Sequence, residues 1–121
     1  MNQYGERAAE TLPLDGALHA GGHVYRARIY YADTDFSGFV YHARYLEFLE
    51  RGRTDYLRLS GIHHTAMVEA DADREALVWV VRRMDIDFIA PARMDDVILI
   101  DTQIAELSGA RVVMAQRISR D

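Results

Sequence analysis

The chain has 121 residues, half of them hydrophobic, which suits one domain with one core and excludes a disordered polymer. A net charge of −5 argues against general nucleic-acid binding, because phosphate contacts need a basic surface. All 14 basic residues are arginine and cysteine is absent, which removes lysine Schiff-base chemistry, disulfides, thiolate nucleophiles and cysteine-held zinc. No apolar run approaches the roughly 18 residues of a membrane span, and MNQYGERAAE has no hydrophobic signal segment. A soluble, cytoplasmic protein is expected.

Residues 1–22 show no sustained period and contain Pro13 and the pair Gly21-Gly22. They are expected to form a mobile arm, with at most a turn of helix near Arg7 to Thr11. His19 and His23 fall in or beside it and need no function. Val24 to Tyr31 alternates as a first strand, closing on apolar Ile29 to Tyr31. Next comes a polar turn, Asp33-Thr34-Asp35-Phe36-Ser37-Gly38, with a glycine placed for a positive φ. A helix is predicted from Tyr41 or His42 to Leu59, stopped by Ser60-Gly61. Tyr45, Leu46, Phe48, Leu49, Gly52, Tyr56, Leu57 and Leu59 share one half of its wheel, and Arg44, Glu47, Glu50, Arg51, Thr54, Asp55 and Arg58 the other. So wide an apolar arc calls for a sheet that wraps it. Gly52 lies mid-arc, where glycine costs roughly 1 kcal/mol against alanine, so a close backbone approach to the sheet is expected. Arg53 falls in the same arc, either snorkelling to the edge or pairing with a carboxylate, Glu50 being the nearest.

From Gly61 to Glu75 the chain reads as a loop, where His63, His64, Glu69, Asp71 and Asp73 match no familiar metal-site spacing, and no metal is expected. Such a loop suits the rim of a ligand pocket. Leu77 to Ile89 is predicted as a second strand ended by Pro91, Val97 to Ala105 as a third, and Arg111 to Ile118 as a fourth. Glu106 to Gly109 joins the last two as a hairpin. Strand, helix, then consecutive strands is an α+β pattern, best met by an antiparallel sheet curling around the helix.

The turn is the place for chemistry. A carboxylate just ahead of a helix can attack a carbonyl or take a proton from water, while the first free helix N–H groups polarise the carbonyl oxygen. The same aspartates also suit a cap or an Asx-turn. IYYADTDFSG superficially imitates the strand and D-x-D of haloacid dehalogenase-type phosphatases, with Asp33 as nucleophile and magnesium as cofactor. That chemistry sits on a larger alternating α/β framework and commonly uses a lysine, and this chain has neither.

The run YYADTDFSGFVYHARYLEFLERGRTDYL, followed by PARMDDVILIDTQIAELSGARVVMAQRISR, resembles the Tol-Pal-associated acyl-CoA thioesterases. These belong to the 4-hydroxybenzoyl-CoA thioesterase branch of the hotdog fold. The resemblance covers about Val24 to Arg120 and implies a hotdog domain over residues 23–121. It also implies a homodimer or dimer of dimers with composite active sites. Resembling proteins continue through a further hairpin and closing strand beyond Asp121. By resemblance Asp35 is the catalytic aspartate, as nucleophile or general base, and the carbonyl-polarising amide falls at His42. Asp33 stays with turn structure. Tyr31, Gly38, Val40, Tyr41 and Tyr45 are the candidate substrate contacts, the tyrosines being equally suited to a core. No cofactor is expected, coenzyme A being part of the substrate. Arg82, Arg83, Arg93 and Arg111 are candidates for its phosphates because arginine suits phosphate. The alternative is a hotdog domain that binds acyl-CoA, or scaffolds at a membrane, without turnover.

Overall fold

Alternation decides the centre of the molecule. The computed structural model describes residues 13–61 and 79–121. In it, strand β3 (Val97–Ser108) buries Ile98, Ile100 and Thr102 at every second position. It is flanked antiparallel by β2 (Gly22–Arg28) and by β4 (Arg111–Arg120). A three-residue strand, β1 (Ala17–His19), adds to β2 and completes the order β1-β2-β3-β4. Helix α1 (Arg44–Leu59) lies across β2 and β3 with Phe48, Leu49 and Gly52 buried. Tyr25, Ile29, Val40, Ala92, Ile98 and Ile100 complete the core with Phe48 and Leu49. The architecture is α+β, one long helix on an antiparallel sheet, as expected. No helix among the described residues is long and apolar enough to cross a membrane.

Gly52 meets the sheet as predicted. A Cβ there would stand 2.8 Å from Thr102 Oγ1 and 3.0 Å from Ile100 Cγ2, so only glycine lets the helix backbone come this close. Polar links lock the contact. Tyr25 donates its hydroxyl to the Phe48 carbonyl at 2.6 Å, and the Gln116 amide donates to the Leu49 carbonyl and to Thr102 Oγ1, both at 2.9 Å. Each of these satisfies a group that burial would otherwise strand.

Several expectations change. Residues 17–22 are not arm: Ala17–His19 pairs with β2, and Ala20-Gly21 makes the turn, so the glycines mark a hairpin. His23 is fully buried in β2, stacked on Tyr56, with Nε2 2.7 Å from the Asp15 carbonyl. The first strand ends at Arg28, because Asp33 Oδ2 accepts from the Tyr30 N–H at 2.8 Å and coils Tyr31–Asp33 into a 3-10 turn. The helix starts at Arg44, after a turn over His42 and Ala43. Ser60 stops it, its hydroxyl donating to the Tyr56 carbonyl at 2.8 Å.

Among the described residues Arg53 pairs with no carboxylate. It donates to Gln116 Oε1 at 3.1 Å, while Glu50 accepts from Thr54 instead. The guanidinium points inward to β4, whereas Glu50 lies on the exposed side. Trp79 to Ile89 joins no ladder, although its residues alternate. A strand needs a partner as well as a pattern, and among the described residues none of the four paired strands lies against this segment. β3 and β4 also run further than predicted, because a register shift between Ile104 and Glu106 carries the pairing on to a turn at Gly109-Ala110. The loop carrying His63, His64, Glu69, Asp71 and Asp73 lies outside the described residues, as does the helical turn considered near Arg7.

Candidate active site

The turn after β2 holds its two aspartates in opposite ways. Asp33 is tied down: Oδ2 accepts from the Tyr30 N–H, Oδ1 lies 3.4 Å from Arg44 Nε, and its carbonyl accepts from the Tyr41 N–H at 3.0 Å. Arg44 also donates to the Ala32 carbonyl at 3.0 Å and pairs with Glu47, so it staples the turn to the helix. Asp33 therefore builds the entry to α1.

Asp35 is open to solvent. Its N–H donates to the Phe39 carbonyl and its own carbonyl accepts from the Gly38 N–H, each at 3.0 Å, which closes a tight loop. Gly38 has φ +85 with open space around it, so backbone conformation, not room, requires glycine there. Oδ1 accepts from the Ser37 hydroxyl at 2.5 Å and from the Ser37 N–H at 2.8 Å. These donors, the hydroxyl foremost, hold the Asp35 carboxyl below the usual carboxylate range, and His42 acts in the same direction. Among the described residues no donor reaches Oδ2.

Past Phe39, the chain bridges to the segment before β3. Thr34 faces Val40, and Phe39 faces Arg93, whose guanidinium lies 5.1 Å from the Phe39 ring centre. The Val40 N–H donates to the Ala92 carbonyl at 2.9 Å, and the Ala92 N–H donates to Tyr45 Oη at 3.0 Å. Ala92 thus fastens Phe88 to Pro91 against the helix start. Between them opens a cleft of about 260 Å³ lined by Val40, His42, Tyr45 and residues 88–91. The His42 ring meets Phe88 edge-on at 6.3 Å, and Tyr45 lies 6.0 Å from the same ring. Among the described residues no carbonyl accepts from the His42 main-chain N–H.

Of the expected site residues, Val40, His42 and Tyr45 line the cleft, and Asp35, outside the lining, lies within electrostatic reach of His42. Gly38 shapes the Asp35 loop. Tyr31 is 78% exposed and Tyr41, though packed on the His42 ring, is not part of the lining. Phe88 and Pro91 were missed as cleft residues. Pro91 was visible as a strand end, but nothing local says that it folds back to the helix, where the next residue, Ala92, bonds Tyr45 across 47 residues. Arg83 lies 3.5 Å from Asp85, and Arg93 covers Phe39, so neither meets the cleft directly.

Comparison with known proteins gives one consistent answer. A family model described as the thioesterase superfamily matches residues 37–121. An acyl-CoA thioesterase YbgC of Haemophilus influenzae is 39% identical over 100 residues, covering 83% of this chain and 71% of that protein. An acyl-CoA thioester hydrolase YbgC of Escherichia coli is 46% identical over 91 residues, covering 75% of this chain and 64% of that protein. The crystal structure of a probable thioesterase from Bartonella henselae superposes with a TM-score of 0.74 at 50% identity, over 81% of this chain and 78% of that one. The hotdog expectation holds.

Proposed function

Because the chain belongs to the thioesterase superfamily, we propose that it hydrolyses an acyl-CoA thioester to the free carboxylic acid and coenzyme A. The observation that supports this is Asp35: an exposed carboxylate with one oxygen free of donors among the described residues, ahead of a helix start where the His42 N–H meets no carbonyl of those residues. In the water-activation route Asp35 takes a proton from water, and the hydroxide oxygen bonds to the carbonyl carbon. The carbonyl oxygen becomes an oxyanion held by the His42 N–H. The tetrahedral centre then expels the CoA sulfur, which takes up the proton. In the covalent route Asp35 bonds to that carbon and expels the CoA thiolate, then water cleaves the resulting anhydride to the acid and free Asp35, its remaining proton going to the thiolate. Either route balances with water alone. The cleft lined by Val40, Tyr45 and Phe88 receives the acyl group.

The chain's motif supports placement with the Tol-Pal-associated members of the 4-hydroxybenzoyl-CoA branch, in a cytoplasmic setting. Arg93, beside the Asp35 loop, is the best placed of the arginines for the CoA phosphates. The deciding experiment is release of free thiol from a panel of acyl-CoAs by the wild type and Asp35→Asn. The substitution keeps size and removes charge, so kcat should fall about 10²–10⁴-fold with the fold intact. Near-normal turnover by a folded Asp35→Asn protein would remove Asp35 from the reaction. CoA ester binding without thiol release by the wild type would favour an acyl-CoA-binding protein instead.

A further inference from the structure

Ser37 makes more contacts than a turn residue requires. Its N–H and its hydroxyl both donate to the same oxygen of Asp35, at 2.8 and 2.5 Å. The hydroxyl is itself oriented, since Ser37 Oγ accepts from the Phe39 N–H at 3.2 Å. Phe39 is in turn pinned, its carbonyl by the Asp35 N–H and its backbone by the bridge to Arg93. The chain of contacts thus runs from the Arg93 segment through Phe39 and Ser37 to one carboxylate oxygen.

We infer that Ser37 is a positioning residue for Asp35, locking Oδ1 so that Oδ2 is the oxygen presented to substrate or water. The inference rests on the thioesterase reading of Asp35. A carboxylate on an exposed loop is otherwise free to rotate about its last bond, exchanging its oxygens and losing alignment with the scissile carbonyl. Two donors on one oxygen make that exchange unfavourable, because rotation would break both bonds. Neither contact needs a partner from the core, so the device works on a solvated turn.

Ser37 and His42 act on the pH behaviour of Asp35. The Ser37 donors favour the ionised form, and His42, from the helix start, favours it too. Arg93 faces the Phe39 ring and Arg44 faces Asp33, and neither is among the charges that act on Asp35. Removing the hydroxyl therefore raises the pH at which Asp35 takes up a proton, since a donor to the anion has gone.

The test compares Ser37→Ala and Ser37→Thr with the wild type in pH profiles of kcat/KM for a short acyl-CoA. Ser37→Ala should move the acid limb to higher pH and lower kcat about ten-fold, with KM little changed. Ser37→Thr, which restores the hydroxyl, should return the limb toward the wild-type position. In the wild type, carbon NMR should show the Asp35 carboxyl titrating below exposed aspartates that lack such donors. An unmoved acid limb in Ser37→Ala, or an ordinary Asp35 titration in the wild type, would overturn the inference while leaving Asp35→Asn inactive. A folded and active Asp35→Asn would instead overturn the reading beneath it.

Discussion

Asp33 and Asp35 have the same side chain two positions apart, and their surroundings give them different work. Asp33 receives a backbone N–H and an arginine, whereas Asp35 receives donors, among the described residues, on one oxygen only. Activity that needs ionised Asp35 should persist below the ordinary carboxylate range and fade only as pH falls through its lowered pKa. Asp55 is the opposite case. Partial burial on α1, then the charge of Asp15, pushes its carboxyl up. Its stability contribution is present in acid, below the unfolded value, and is lost as pH rises through the folded one. Asp55→Asn should accordingly raise Tm at neutral pH and change nothing in acid; a lower neutral Tm would contradict this. The turn was legible in the sequence because its formers are adjacent. Which aspartate is tied down was less so, since Arg44 reaches back from the helix. The partner of Arg53 was not legible at all, because Gln116 lies 63 residues away.

At the level of elements, α1 was readable from its wheel and its contact with the sheet from one glycine. Gly52→Ala gains roughly 1 kcal/mol of helix propensity, yet its methyl must displace Thr102 and Ile100, both fully buried. Overpacking of this kind costs about 1–3 kcal/mol, so a net loss in a thermal melt is expected, and Gly52→Val should lose more. Equal or higher Tm for Gly52→Ala would show that the helix can ride outward. β3 and β4 were legible because period-2 burial is a local signal. The hairpin of β1 was hidden by glycines that also suit a loop. The alternation of residues 79–89 indicated a strand, but a ladder depends on a partner strand brought alongside, which no window of sequence contains. Phe88 escaped notice as a cleft residue for the same reason.

At the level of the whole molecule, the surface left open is apolar where a partner would help. Trp79, Val80, Val81, Met84, Ile86 and Phe88 are all exposed, as are Leu46 and Leu59 on α1. Their cover in solution is expected to be a second copy, as in the homodimer or dimer of dimers that the resemblance implies. Sedimentation should give at least twice the mass of one chain, and Met84→Asp with Ile86→Asp should shift it toward one. A single-chain mass at micromolar concentration would refute the dimer. The Ala92 contact bears on how such a molecule opens. The cleft wall hangs on two hydrogen bonds to one residue, whereas Ile98 and Ile100 sit inside a paired sheet. Amide exchange should therefore be faster at Val40 and Ala92 than at Ile98 and Ile100, because sub-global opening needs far less free energy than melting the sheet. Admission of a bulky acyl group would then be a local breathing of the wall, timed by that small opening and independent of the stability of the fold.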